Sequence, residues 1–281
     1  MSEIVVVSHF QARPLIEARE RGANVAQTSL DLGREAVQVR LEPDGVRLGA
    51  GMVPWPVIEE IAKSDTACFA IDDGAARKIQ TFSEETGRVY TLYPTAGAPT
   101  MLVSGVPMHR IKGIDPMEDT RRKLRTIAPV VGRVLDTATG LGYTAMEAAP
   151  TASSVLTVEL DPAAQAIARA NPWSRKLFED ERIEQRIGDS IEVVRGLAEA
   201  SFDRVIHDPP MFSLAGELYS LEFYRELRRV TAPGGRLFHY VGDPESRSGA
   251  RVTRGVLRRL EEAGFRDLRR RPEAFGVAAG R

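Results

Sequence analysis

A glycine-containing segment that follows an apolar run is the part of this sequence best suited to chemistry. Val134 and Leu135 lead into Asp136, and Gly140 and Gly142 follow within six residues, ahead of a helix-compatible stretch. Glycine lacks the Cβ that would hold a ligand away from the backbone, and it adopts the positive φ of a tight turn. The first N–H groups of the following helix point into that turn. The segment therefore predicts a strand–turn–helix loop that binds a nucleotide-like cofactor.

Two cofactors fit this loop, and charge separates them. Residues 140–145 match the dinucleotide pattern G-x-G-x-x-[G/A], and Glu159 lies near the spacing of a ribose-binding acid. In dinucleotide enzymes, however, the glycines directly follow the strand, whereas residues 136–139 intervene here. The carboxylate of Asp136 would repel a pyrophosphate and attract the sulfonium and amino groups of S-adenosylmethionine (SAM). We therefore favour SAM over NAD.

Acidic residues also stand at the ends of three further predicted strands. Residues 154–159 end at Glu159, residues 182–187 precede Asp189, and residues 202–207 precede Asp208. Because ligands of open α/β sheets bind at the carboxyl ends of the strands, acids at four strand ends predict one binding rim. We expect Glu159 to accept hydrogen bonds from both ribose hydroxyls and Asp189 to contact the adenine amine. The alternative for each acid is a helix cap or an ordinary surface position.

This order of motifs resembles the class I SAM-dependent methyltransferases, over roughly residues 115–281. Five segments are similar to an archaeal branch linked to methylation of the exocyclic amine of a ribosomal RNA cytidine: Pro107-Met108-His109-Arg110, Gly113-Ile114-Asp115-Pro116, Asn171-Pro172-Trp173-Ser174, His207-Asp208-Pro209-Pro210 and Ala215-Gly216-Glu217-Leu218-Tyr219-Ser220. The resemblance implies an α/β fold with a doubly wound, seven-stranded, mostly parallel sheet. It also implies SAM as cofactor, a ribosomal RNA partner and no metal. The residues expected to bind the cofactor are Asp136, Thr137, Gly140, Gly142, Tyr143, Thr144, Glu159, Leu160, Asp189 and Ser190.

The segment Asp208-Pro209-Pro210 is expected to carry the reaction. A nucleobase amine is a poor nucleophile because its lone pair is delocalised, so the enzyme needs acceptors for the amine protons. The Asp208 carboxylate and the Pro209 carbonyl can accept them, since proline lacks an N–H and stiffens the loop. In amine-methylating relatives an aromatic residue follows the prolines, whereas Met211 stands here and Phe212 comes next. We expect Phe212 to stack on the base, with a place in the core as the alternative.

Composition restricts which partners, cysteine sites and cellular locations the sequence allows. Of 38 basic residues only five are lysine, and arginine clusters at 121–125, 225–229, 247–259 and 269–271, although the net charge is −1. These clusters indicate either phosphate contacts or helix faces paired with glutamate. The single cysteine, Cys68, excludes an internal disulfide and a cysteine metal cluster. The apolar opening at residues 4–7 is too short for a signal peptide or a membrane span, so we expect a cytoplasmic protein.

The chain is expected to contain two domains. Residues 1–112 predict a smaller α/β or mixed domain that orients a substrate, and residues 113–281 predict the SAM-binding catalytic domain. Predicted elements of the first part are helices at 11–21 and 56–63, a hairpin of 37–41 with 46–48, and strands at 67–71 and 89–93. In the second part, a strand at 235–241 precedes a helix at 250–263 and a closing antiparallel pair, 266–271 with 274–278.

Aminopropyl transfer is the competing enzymatic interpretation. Polyamine synthases share the fold, and Asp208 followed by residues 218–220 and 222–224 is similar to their segment after the strand. Residues 139–142 differ from the glycine- and aspartate-rich loop of those enzymes, which also need acids to hold a polycation. Methylation of a protein or a small molecule, or SAM binding without catalysis, are further alternatives.

Overall fold

The computed structural model of this chain describes residues 4–210 and 215–281. The chain folds as two compact units, Met1–Pro116 with Ala163–Arg175, and Met117–Pro162 with Lys176–Arg281. The first unit therefore includes a short piece from the later part of the sequence. The predicted domain boundary between residues 112 and 113 stays a prediction.

Up to residue 116, the described part of the first unit folds into three small antiparallel sheets with two helices. The sheet orders are β1-β6-β7, β2-β3-β4-β5 and β11-β10-β9-β8. The elements are β1 (Val5–Val7), α1 (His9–Glu20), β2 (Val25–Thr28), β3 (Val37–Glu42), β4 (Gly45–Leu48), β5 (Gly51–Pro54), α2 (Trp55–Lys63), β6 (Phe69–Asp72), β7 (Ala75–Lys78), β8 (Gln80–Ser83), β9 (Arg88–Tyr93), β10 (Thr100–Val103) and β11 (Val106–Pro107).

The predicted hairpin and helices of this unit are present. Leu41 pairs with Val46 across the hairpin. Helix α1 begins two residues before the predicted start, because Ser8 caps it and the Gln11 side chain accepts the Ser8 N–H at 3.0 Å. The unit is richer in strands than the sequence indicated, because short, partly exposed antiparallel strands carry no long apolar run.

The second unit is built on one sheet of seven strands in its described residues, in the order β14-β13-β12-β15-β16-β18-β17. Neighbouring strands from β14 to β16 are parallel, and β18 runs antiparallel to both β16 and β17. The predicted doubly wound, mostly parallel sheet is therefore confirmed. The elements from residue 116 onward are α3 (Pro116–Arg125), β12 (Arg133–Asp136), α4 (Tyr143–Ala148), β13 (Ser154–Glu159), α5 (Pro162–Ala170), a 3₁₀ helix (Pro172–Ser174), α6 (Arg175–Glu179), β14 (Ile183–Ile187), α7 (Ser190–Arg195), β15 (Phe202–His207), a 3₁₀ helix (Gly216–Tyr219), α8 (Leu221–Val230), β16 (Thr231–Tyr240), α9 (Arg247–Glu262), β17 (Arg266–Arg271), a 3₁₀ helix (Pro272–Ala274) and β18 (Gly276–Gly280).

Alternating side chains place one large apolar cluster of this unit on one face of the sheet. Leu237 and Val277 lie in one buried apolar cluster with Leu227 of α8 and Val256 of α9. Residues that alternate with these point to the opposite face. There the buried Arg204 donates from Nε to the carbonyl oxygens of residues 127 and 129, in the connection that follows α3. Strand and helix periodicity therefore fix which side chains can reach the rim.

The parallel register brings the predicted acids to one edge of the sheet. Asp136 pairs with Thr157 on one side and Ile206 on the other, so β12, β13 and β15 end at nearly the same level. Glu159 closes β13, and Asp208 directly follows β15. Since the carboxyl ends of parallel strands share an edge, this rim is the candidate site.

Candidate active site

Asp136 is enclosed by its own loop and strands. Its Oδ2 accepts hydrogen bonds from the hydroxyls of Thr144 at 2.7 Å and Thr157 at 3.2 Å, and its side chain is completely buried. Burial raises the pKa of Asp136 to about 7, and the nearby charge of Asp208 acts in the same direction. Asp136 thus ties α4 to β13, and its charge would act on a ligand through space.

The two glycines of the loop both have left-handed backbone, with φ of 52° at Gly140 and 76° at Gly142. Gly142 is also the residue that precedes α4. A Cβ at Gly142 would lie 2.5 Å from Cδ2 of Leu177, whose side chain is fully buried. The space beside this glycine is therefore taken by the protein itself, and close packing requires glycine there.

Glu159 is anchored by backbone N–H groups. Its Oε2 accepts the Gly140 N–H at 2.8 Å, and its Oε1 accepts the Asp161 N–H at 3.1 Å. Burial raises the pKa of this half-buried carboxyl in spite of those bonds. Each carboxylate oxygen has a second lone pair that can accept a hydroxyl. Leu160 beside it is 42% exposed, an apolar surface next to the carboxylate.

The remaining predicted cofactor residues serve the loop framework. Asp189 is exposed and caps α7, accepting the N–H of Ile191 at 2.7 Å, which is the alternative expected for such acids. Ser190 donates from Oγ to the Thr137 carbonyl at 2.6 Å. Tyr143 is only 1% exposed. A contact between Asp189 and adenine stays a prediction.

Asp208 is paired with a buried lysine. Lys123 Nζ lies 2.6 Å from Asp208 Oδ2 and 3.0 Å from Asp119 Oδ2, and the lysine and Asp119 side chains are 1% and 0% exposed. Burial alone would lower the pKa of Lys123, but the carboxylates of Asp208 and Asp119 raise it above its usual value. The lysine is therefore a cation, and it holds Asp208 in one orientation. Lys123 also lies 5.0 Å from the ring centre of Tyr240.

Burial and one hydrogen bond fix the two prolines that follow Asp208. Pro209 is buried, and the Pro210 carbonyl accepts the hydroxyl of Tyr219 at 3.0 Å. The predicted stacking residue, Phe212, lies outside the described residues.

Two buried histidines support this edge. His207 donates from Nε2 to the Leu218 carbonyl at 2.9 Å, which leaves Nδ1 to accept the Thr137 hydroxyl at 2.7 Å. Burial lowers the pKa of His207 to about 4, and burial also lowers the pKa of His239 well below its usual value. Both rings are neutral near pH 7, and His207 serves as a structural link between β12 and β15.

Sequence reasoning did not single out Lys123 or Asp119. The available signal was their spacing of four residues on a helix, which places both side chains on one face. The pairing with Asp208 is long-range, 85 residues along the chain from Lys123. The arginines of the same helix pair with carboxylates instead: Arg121 with Glu147 at 3.1 Å and Arg122 with Glu118 at 3.2 Å.

Within the part of the chain that the structure describes, no group of three or more His, Cys, Asp or Glu side chains could hold a metal ion. The helices of that part also include none long and apolar enough to cross a membrane.

Comparison with known proteins places this site in a family. Residues 135–239 match the family model described as a methyltransferase domain. An uncharacterised protein of Methanocaldococcus jannaschii is 40% identical over 257 residues, which cover 89% of this chain and 88% of that protein. This chain belongs to the same family as that archaeal protein.

Other proteins match parts of the chain. Polyamine aminopropyltransferase 2 of Streptomyces coelicolor is 36% identical over 126 residues, covering 42% of this chain and 23% of that enzyme. A spermidine synthase solved with the transition-state analogue AdoDATO has a TM-score of 0.59 at 18% identity, over 72% of each chain. The spermidine synthase of Thermotoga maritima has a TM-score of 0.57 at 16% identity, over 74% of this chain and 75% of that one. These structures confirm the methyltransferase-type fold.

Proposed function

We propose that this chain transfers an alkyl group from the sulfonium of SAM, or of decarboxylated SAM, to an amine nitrogen held at Asp208. The observation that carries the proposal is the ion pair of 2.6 Å between Asp208 and the buried Lys123, at the end of β15 beside Asp136. A carboxylate fixed in this way accepts an amine N–H and turns the nitrogen lone pair toward the donor.

The donor fits the residues of the glycine loop. Glu159 keeps lone pairs for two ribose hydroxyls while its backbone bonds to Gly140 and Asp161 hold it in place. The exposed Leu160 offers an apolar face to a purine, and Asp136 in its ionised form favours a cation. When bound, the sulfonium supplies an electrophilic carbon and leaves as a neutral thioether.

The residues of the chain then account for the proton. As the nitrogen forms its new bond to carbon, the carbon–sulfur bond breaks and the nitrogen becomes positively charged. The carboxylate of Asp208 stabilises that charge and accepts a hydrogen bond from the N–H group. The nitrogen then loses its extra proton to water. Because Asp208 is already ion-paired with Lys123, this carboxylate serves as an orienting acceptor instead of a strong base.

The comparisons favour an aliphatic amine as the acceptor. The relatives of assigned activity that match 42% of the chain or less carry the name polyamine aminopropyltransferase, and solved spermidine synthases share the fold. On this interpretation decarboxylated SAM is the donor and the aminopropyl group is transferred.

Methylation of a cytidine amine is the second candidate. Its support is the rigid Asp208-Pro209-Pro210 segment, in which Pro209 is buried and Tyr219 fixes the Pro210 carbonyl at 3.0 Å. An amine with a delocalised lone pair needs acceptors for both protons, and this segment offers the Asp208 carboxylate and the Pro209 carbonyl.

A matrix of donors and acceptors tests both candidates. Labelled SAM and labelled decarboxylated SAM are each incubated with putrescine, with spermidine and with ribosomal RNA from a strain that lacks the gene. Aminopropylated product supports the first candidate and N4-methylcytidine supports the second. Label transfer in none of the combinations contradicts the proposal.

Variants separate donor binding from transfer. Glu159→Ala should weaken SAM or decarboxylated SAM binding at least about tenfold, or about 1.4 kcal/mol, in calorimetric titration. Glu184→Ala, which removes an exposed acid from the neighbouring strand, should leave donor affinity unchanged. Asp208→Asn should lower kcat by at least about 100-fold with donor affinity intact, whereas the exposed Glu245→Gln should do neither.

A further inference from the structure

A basic pocket of about 320 Å³ lies along β16, β18 and β17 in the second unit. We call it the arginine pocket; the lining residues that matter are Arg236, Asp267, Arg269, Arg271, Gly280 and Arg281. Its volume falls at the lower end of the range for small-molecule sites. None of these residues belongs to the site at Asp208.

Strand alternation gathers the arginines on one face. Leu268 packs toward the apolar cluster beneath α8 and α9, so Arg269 and its alternate neighbours point the other way. Arg269 pairs with Ala278, and Arg271 pairs with Gly276. Ala278 and Gly280, small residues of β18 that line the pocket, leave room between the guanidinium groups of β17 and Arg236 of β16.

The charge of the arginine pocket is unbalanced. Four arginines face one carboxylate, that of Asp267, among the lining residues. Arg281 is ion-paired with Glu199 at 3.2 Å, but Arg269 and Arg271 have no carboxylate within ion-pair distance among the described residues. Nε of Arg271 is also buried without a hydrogen-bond partner. A buried donor without an acceptor is unfavourable, and an anion in the pocket would satisfy it.

We propose that the arginine pocket binds phosphate groups of single-stranded RNA. The planar guanidinium presents paired N–H donors that match phosphate oxygens, and Arg269 and Arg271 are available to bind them. A cationic polyamine would be repelled from the same surface.

The position of the pocket suits a chain that also reaches Asp208. The residue after α3, Thr126, lines the pocket, and Lys123 one turn earlier contacts Asp208. Three strand spacings separate β15 from β17, about 14 Å across the sheet. A few nucleotides span that distance, so a short RNA strand is long enough to reach both places. The inference goes beyond the proposed alkyl transfer and holds or fails independently of it.

Binding of a fluorescein-labelled 12-nucleotide RNA to the full-length protein tests the inference by anisotropy across a salt series. Arg269→Ala/Arg271→Ala should weaken binding at least about tenfold and reduce the salt slope by about 0.7 for each phosphate that is no longer neutralised. Arg251→Ala/Arg254→Ala, which removes two exposed arginines from α9 on the other face of the sheet, is the matched control and should change affinity less than about threefold. Arg269→Ala alone, at an exposed position, provides a variant with little risk to folding.

Three outcomes would overturn the inference. The first is that the unmodified protein does not bind the RNA. The second is that the pocket and control variants lose RNA affinity equally. The third is that the pocket variant loses binding of inorganic phosphate but keeps binding of RNA. The last result would assign the pocket to a free phosphate compound. Transfer to putrescine, measured on the same preparations, should be unchanged in all arginine variants, so failure of the pocket and failure of the alkyl-transfer proposal are distinguishable.

Discussion

The trio of Lys123, Asp119 and Asp208 links stability to the proposed chemistry at the scale of single residues. Lys123 is 1% exposed and lies 3.0 Å from Asp119 and 2.6 Å from Asp208. Removing one member of a buried charge cluster leaves the others without compensation, which is costly. The lysine is therefore a positioning residue whose loss should be felt first in folding.

Lys123→Met, compared with a double variant that also neutralises Asp119, tests this arrangement. The single variant should lose about 3–5 kcal/mol of unfolding free energy, because Asp119 and Asp208 then lose the cation that they share. Lys123→Met/Asp119→Asn should recover a substantial part of that loss, since only one carboxylate remains. Urea unfolding followed by circular dichroism measures both. Equal stability of the single and double variants would show that the two aspartates do not share the lysine.

Single residues also show what the sequence could reveal. Asp136, Glu159 and Asp208 follow apolar runs directly, so their place at the rim was predictable from local pattern. Lys123 was not, because its importance arises from an ion pair with a residue 85 positions away along the chain. Asp189 has a cap role that the sequence allowed but could not select.

The connection between β12 and α4 depends on close packing between elements. Gly142 has a φ of 76°, and a Cβ there would meet Leu177 of α6 at 2.5 Å. Gly142→Ala should therefore destabilise the protein by about 2–4 kcal/mol, from left-handed backbone strain and overpacking together. Gly142→Ala/Leu177→Ala should relieve the overpacking part relative to Leu177→Ala alone. Gly51→Ala, which meets nothing within 4 Å, is the control in thermal unfolding. An unchanged melting temperature in Gly142→Ala would contradict the packing account.

The buried His207, the last residue of β15, predicts a pH dependence of stability. The pKa of His207 is lowered to about 4 by burial, whereas an unfolded histidine has a pKa near 6.5. Between those values the unfolded chain binds a proton that the folded one does not, so stability falls as the pH drops from about 6.5 toward 4 and is unaffected above. His207→Gln should reduce the slope of unfolding free energy against pH by up to about 1.4 kcal/mol per unit. Urea titrations at pH 5, 6 and 7 measure it; identical slopes in both proteins would refute the assignment.

Element boundaries were predictable where a periodic apolar pattern was long. The closing antiparallel pair was expected, but its last strand runs Gly276–Gly280, two residues later than predicted. The delay arises because Pro272–Ala274 forms a 3₁₀ turn that ends at Phe275, which has a φ of 51°. A left-handed phenylalanine has no local sequence signature, so tertiary packing decides this boundary.

At the scale of the whole chain, the piece Ala163–Arg175 belongs to the first unit although the sequence places it among the elements of the catalytic sheet. Trp173 donates from Nε1 to the Leu32 carbonyl at 3.1 Å, and Arg34 donates to the Pro172 carbonyl at 2.9 Å. The sequence predicted a simple division near residue 113, because composition cannot show that a later segment crosses to an earlier one.

This crossing predicts the behaviour of a chain that lacks residues 1–112. The shortened protein would lose the acceptor for Trp173 and the donor for Pro172, so residues 163–175 should fray. Limited trypsin digestion should then cut the shortened protein rapidly after Arg169 and Arg175, while the full chain resists at both positions. Cleavage after Arg186, an exposed residue of β14 in the second unit, serves as the internal control and should proceed at the same rate in both.

In the full chain, Trp173→Phe should raise the cleavage rate at Arg175 to a smaller extent, because it removes one hydrogen bond worth about 1 kcal/mol. Equal resistance at Arg169 and Arg175 with and without residues 1–112 would show that the segment folds without the first unit.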